Sequence, residues 1–148
     1  MDKQSNRKDN KIQERRDERS QAFSFVFERM FRDDTINDAF EDAENARDIQ
    51  VSDYTRKVVE GVEEHLDEID ALIEKNLKGW KKNRISKISL TILRIAVFEM
   101  LYMKNIPTSV SINEAVELAK NYATAADGSF VNGVLGSIAK SLKKSGEN

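Results

Sequence analysis

The chain is 148 residues long, carries 24 Lys/Arg against 26 Asp/Glu and one His, and has no cysteine. That length allows one substantial hydrophobic core. The missing thiols exclude a disulfide framework, a cysteine nucleophile and a cysteine-based zinc or iron–sulfur site, as suits a reducing cytoplasm. Residues 1–32 carry 9 Lys/Arg against 6 Asp/Glu, residues 33–77 carry 4 against 15, and residues 78–148 carry 11 against 5. If the two basic segments meet in space, a basic surface forms despite the acidic total; otherwise such runs are ordinary solvated faces.

Helical spacing recurs throughout and strand-like alternation is scarce, so the expected fold class is all-α. Residues 1–10 are polar, lack the apolar core of a secretory signal, and are expected to form a disordered tail. A first helix is expected over about 12–32, with Phe23, Val26, Phe27, Met30 and Phe31 on one face. "DDTINDAFEDAEN" gives a short second helix, 52–65 a third, and Leu66, Ile69, Leu72, Ile73 and Leu77 mark a fourth. "LKGWKKNRIS" reads as a turn containing Gly79 and Trp80. Residues 87–103 are apolar around most of a helix circumference and should be the central buried helix. Ser89, Thr91, Arg94 and Glu99 make that stretch too polar to span a bilayer.

After Pro107, "SINE" at 111–114 has the pattern of a capping box, in which Ser111 and Glu114 satisfy each other's backbone amides and Asn113 lies in the helix entry. Ile112, Ala115, Val116, Ala119 and Tyr122 follow on one face, and a last helix opens near "DGS", capped by Asp127 or Ser129. Within it, "SFVNGVLGSIAK" sets Asn132, Gly133 and Gly136 among apolar residues, although each interior glycine costs roughly 0.5–1 kcal/mol relative to alanine. A structural role is expected for all three: close approach of the central helix at the glycines, and an Asn132 bond to a buried backbone group. A polar notch on a binding surface is the alternative. Arg94 and Glu99 are expected to be polar ties within the fold. One compact domain is expected, with an N-terminal helical subdomain over 11–79 and a C-terminal one over 80–144.

Catalysis finds little support. His65 lies in the acidic run "EEHLDE" without a partner His or Cys, and the acidic pairs of 41–48 and 63–70 fall on helix surfaces. "GVLG" sits inside a helical pattern, not in a phosphate-cradling loop. The chain is therefore expected to be no enzyme and to need no cofactor or metal. The first helix is more informative. Counting about 100° per residue from Phe23, its apolar residues span about −60° to +80°, with Arg16 near +20°, Arg19 near −40° and Arg15 at the edge. Guanidinium groups held on such a stripe suit phosphate contact and stacking on bases. Since Asp17 and Glu18 are interleaved, a solvated helix start with weak ion pairs is the competing reading.

"ILRIAVFEML" (92–101), "SINEAVELAKNY" (111–122) and "FVNGVLGSIA" (130–139), in this order and at these separations, resemble the NusB family of transcription antitermination factors. "RRDERSQAFSFVFE" (15–28) is similar to that family's basic first helix, and the likeness covers roughly residues 15–140. It implies about seven helices in two packed three-helix-like subdomains. It also implies a cytoplasmic protein that binds the single-stranded boxA element of ribosomal RNA leader transcripts. The implied partners are NusE, a small-subunit ribosomal protein, and the transcribing RNA polymerase complex. Carried over by position, Arg15, Arg16 and Arg19 match the family's arginine-rich motif, and Phe130 matches the aromatic that opens its last helix. Three departures stand out: Asp17 and Glu18 make the arm less basic, Phe27 replaces a common tyrosine, and "ATAAD" (123–127) replaces a more charged loop. A NusB-like module of a ribosomal RNA cytosine methyltransferase would need a catalytic domain and a nucleophilic cysteine. A helix-turn-helix would need a short recognition helix after a tight turn. The rival of a different class is a protein-binding adaptor that uses the acidic 33–77 lobe.

Overall fold

The computed structural model describes residues 3–79 and 84–144, with side chains from residue 6 onward. Among them are seven helices and no strand: α1 Lys3–Arg29, α2 Ile36–Ala46, α3 Asp53–Glu64, α4 Leu66–Lys75, α5 Lys87–Tyr102, α6 Thr108–Tyr122 and α7 Ala125–Lys144. The all-α expectation holds. Among the described residues no helix is long and apolar enough to cross a membrane. The chain divides into two compact units, Met1–Val59 and Glu60–Asn148, so the division expected after residue 79 falls instead inside α3. The reason is packing: α4 lies against α5 and α7 and so belongs with the C-terminal helices.

In the first unit, α1 begins at Lys3, where a disordered tail was expected. Residues 3–19 contain no Gly or Pro and are rich in Lys, Gln, Arg and Glu, which lose little rotamer freedom in a helix. Residues 6–14 are nonetheless exposed. Burial starts at Arg19 and continues with Ala22, Phe23, Phe25 and Val26 inward and Phe31 outward. Thr35 caps α2 by accepting from the Asp38 amide at 3.1 Å. Ile36, Ala39, Phe40 and Ala43 then recur at helical spacing and are buried, with Phe40 edge-on to Phe25 at 5.1 Å.

In the second unit, α5 is the core helix, with Ile92, Leu93, Ile95, Ala96, Val97 and Phe98 buried. It packs against α4, α6 and α7, and α6 packs on α7. Arg94 donates two 2.8 Å bonds to the Asp70 carboxylate on α4. Glu99, 1% exposed, accepts from the Ser111 hydroxyl at 2.7 Å. Ser137 on α7 donates to Asn76 at 2.8 Å, beside the end of α4. Gly79 has φ 92°, a left-handed turn after α4 that favours glycine; Trp80 lies outside the described residues.

Two local expectations are corrected. Ser111 is not a cap: α6 starts at Thr108 directly after Pro107, whose carbonyl already accepts from the Ser111 amide. This leaves Ser111 inside the helix, Asn113 exposed and Glu114 half-buried. The capping box lies one helix later. Thr124 Oγ1 accepts from the Asp127 amide at 3.1 Å, and Asp127 accepts from the Thr124 amide at 3.2 Å and its hydroxyl at 2.8 Å. The second correction concerns α7. Gly133 is exposed, Gly136 half-buried, and a methyl added at either meets nothing within 4 Å. Asn132 is exposed too, so no buried backbone group draws it inward. The glycine that permits close approach is Gly61, where a Cβ would stand 2.1 Å from Phe98 Cε2.

Candidate nucleic-acid interface

The arginine cluster is built where α1 passes from solvated to buried. Ser52 accepts from the Thr55 amide at 3.0 Å and donates to its hydroxyl at 2.9 Å, capping α3. Thr55 Oγ1 in turn donates to the Glu18 carbonyl of α1 at 3.2 Å. The Gln21 side-chain amide closes the same junction, donating to the Gln50 carbonyl at 3.0 Å and accepting from the Ser52 amide at 3.2 Å. These bonds fix α1 against the first turn of α3 and bring Tyr54 under the basic face of α1. The Arg15 guanidinium carbon is 4.6 Å from the Tyr54 ring centroid and that of Arg19 is 5.7 Å away.

The three arginines therefore differ. Arg15 stacks on Tyr54, keeps 40% of its side chain exposed, and meets Glu18 Oε1 at 3.5 Å through Nε. Arg16 is exposed. Arg19 is 4% exposed, continuing the core stripe instead of projecting past it. Arg15 and Arg19 are four residues apart, so one ring serves both. In the other unit Phe130 on α7 is half-buried, next to the fully buried Val131.

Tyr54 and its hydrogen-bonded clamp were not anticipated. Tyr54, Val58 and Val62 share helical spacing, and all are buried, so its inward direction is readable. What it faces depends on the tertiary packing of α1. Elsewhere, His65 is half-buried and stacked on Tyr102 at 4.1 Å, while the Tyr102 hydroxyl donates to Glu68 at 2.7 Å. That bond, together with burial, pushes the Tyr102 phenol up. Among the described residues no group of three or more His, Asp or Glu is arranged to hold a metal ion.

Residues 16–140 match the NusB family. The chain belongs to that family. A Clostridium novyi transcription antitermination protein NusB is 40% identical over 130 residues, covering 85% of this chain and 98% of that one. A Myxococcus xanthus NusB is 40% identical over 136 residues, covering 88% and 97%. Among solved structures, T. maritima NusB superposes with a TM-score of 0.75 at 38% identity, covering 85% of this chain and 90% of that one. A chain from a crystal structure of the antitermination factors NusB and NusE with double-stranded RNA superposes at 0.74, with 30% identity and coverage of 86% and 96%. The NusB resemblance read over roughly residues 15–140 thus agrees with the span of the family match.

Proposed function

We propose that this chain is a transcription antitermination factor that acts in the cytoplasm by binding RNA, not by catalysis. Its ligand is the single-stranded boxA element of ribosomal RNA leader transcripts, held jointly with NusE in the transcribing RNA polymerase complex. The observation that carries the reading is the pair Arg15 and Arg16: two cations outside the core, one of them stacked, where α1 passes from its exposed to its buried part. Family membership and the NusB–NusE–RNA assembly of a structural relative support it. Unpaired bases offer open faces for stacking and phosphates for bidentate contact, which flat guanidinium groups satisfy together. Arg15 and Arg16 make the direct contacts. Arg19 supports them, and Phe130 on α7 is a separate candidate contact in the second unit. The exposed Asn132 and Gly133, with the half-buried Gly136, are available as a polar notch on the same helix.

The test is fluorescence anisotropy of a labelled boxA-type RNA against a scrambled control, with and without NusE. Sequence-preferring binding that NusE strengthens, and that Arg15→Ala with Arg16→Ala weakens about tenfold, is the expected result. Binding of NusE with no RNA preference in any condition would leave a protein adaptor that uses the acidic 33–77 segment.

A further inference from the structure

Tyr54 is 4% exposed, yet what lies over its ring is charge: the guanidinium groups of Arg15 and Arg19, at 4.6 and 5.7 Å. A phenol ring attracts a guanidinium through its quadrupole without neutralising it. A buried carboxylate at the same place would cancel the charge that RNA must meet. The Glu18 carboxylate reaches Arg15 only at Nε, at 3.5 Å, and 40% of the arginine side chain stays open. The ring itself is held firmly, since the Thr55–Glu18 and Gln21–Ser52 hydrogen bonds fix its helix to α1 on either side of Arg19 in sequence.

We infer that Tyr54 is a positioning residue for RNA recognition, a buried platform that sets the direction of the Arg15 guanidinium before RNA arrives. The inference rests on the RNA-binding reading above and adds a residue to it. An arginine ordered only on binding loses its rotamer freedom at that moment; one already stacked has lost it during folding. Affinity gained this way comes from pre-organisation and not from a further contact, because Tyr54 itself is covered.

The experiment is a double-mutant cycle read by RNA anisotropy, with thermal unfolding of each variant in parallel. Tyr54→Leu fills the apolar site without a π face, and Tyr54→Phe keeps the face. Tyr54→Leu should weaken boxA-type RNA binding about three- to tenfold, and Tyr54→Phe should restore most of it. Tyr54→Leu should also keep the wild-type salt slope, because Arg15 still carries its charge, whereas Arg15→Ala flattens the slope by about 0.7. In the Arg15→Ala background, Tyr54→Leu should change affinity less than about twofold. An equal loss in both backgrounds would show that Tyr54 only maintains the fold, and an unchanged affinity in Tyr54→Leu would remove the platform; in either case the RNA-binding reading would stand. If the wild-type chain shows no RNA preference with or without NusE, that reading fails and the platform falls with it.

Discussion

A methyl group added at Gly61 would lie 2.1 and 2.3 Å from Phe98 Cε2 and Cζ, in a ring that is itself buried and tilted against Tyr102 at 5.4 Å. One added at Gly133 would meet nothing within 4 Å. The two glycines should therefore respond oppositely to alanine. Gly61→Ala overpacks the contact between the end of α3 and α5 and should destabilise by about 1–3 kcal/mol. Gly133→Ala removes a helix-interior glycine from an exposed position and should stabilise by about 0.5–1 kcal/mol. Urea unfolding of both variants checks the pair, and destabilisation by Gly133→Ala would mean that its surface is covered. The sequence drew attention to the glycines of α7 because they interrupt an apolar run. It could not tell a glycine that admits a neighbour from one on the solvent side, since that depends on which face of the helix is packed. The same limit applies to Arg19, whose place on the apolar stripe was legible although its burial was not.

At the scale of elements, helix existence was readable and helix ends were less so. α5 was expected over 87–103 and spans Lys87–Tyr102, because an all-round apolar stretch between Ser86 and Pro107 leaves little freedom. The entry of α6 was misplaced because "SINE" has the composition of a capping box, but Pro107 starts the helix earlier and frees Ser111 to donate to Glu99. The turn between α1 and α2 is held by charge. Arg29 and Arg32 both donate to Asp34, and Arg32 also reaches Asp42 at 2.9 Å. The Arg32 hydrogen bond, with help from Arg29, holds the Asp34 carboxyl below the ordinary carboxylate range and raises the Arg32 guanidinium in turn. A carboxyl that binds its proton less readily when folded contributes stability above its unfolded value, about pH 3.9, which is lost as pH falls through the lower folded value. Asp34→Asn should thus be less stable than wild type at neutral pH, with the difference shrinking below about pH 4. The effect should be modest, because solvent screens a half-exposed pair. Urea midpoints near pH 7 and pH 3 test this; a difference independent of pH would assign the loss to hydrogen bonding alone.

For the molecule as a whole, charge is distributed by segment, and on the proposed function this governs how RNA would be held. A chain with net charge −2 and pI about 5.6 attracts a polyanion weakly overall. Binding then depends on a local basic surface, and at the described junction that surface is Arg15 and Arg16, with Arg19 buried beneath. Two or three phosphate contacts are a small number. For single-stranded RNA each contact contributes about 0.7 to the slope of log affinity against log salt. Raising salt from about 50 to about 200 mM should therefore weaken binding of the chain alone only about 7- to 20-fold. A basic protein making many contacts loses on the order of a thousandfold or more over the same range. The measurement is the anisotropy titration repeated at four or five salt concentrations without NusE. A slope near −2 or shallower fits an interface confined to the Arg15–Arg16 stretch of α1. A slope of about −4 or steeper would bring in other cations, and the exposed Lys140, Lys143 and Lys144 at the end of α7 are the group to remove next. Because the acidic residues cluster in 33–77, shallow salt dependence combined with sequence preference would place discrimination in stacking and bidentate geometry, not in net attraction. That is the behaviour expected of arginines whose directions are fixed before the RNA arrives.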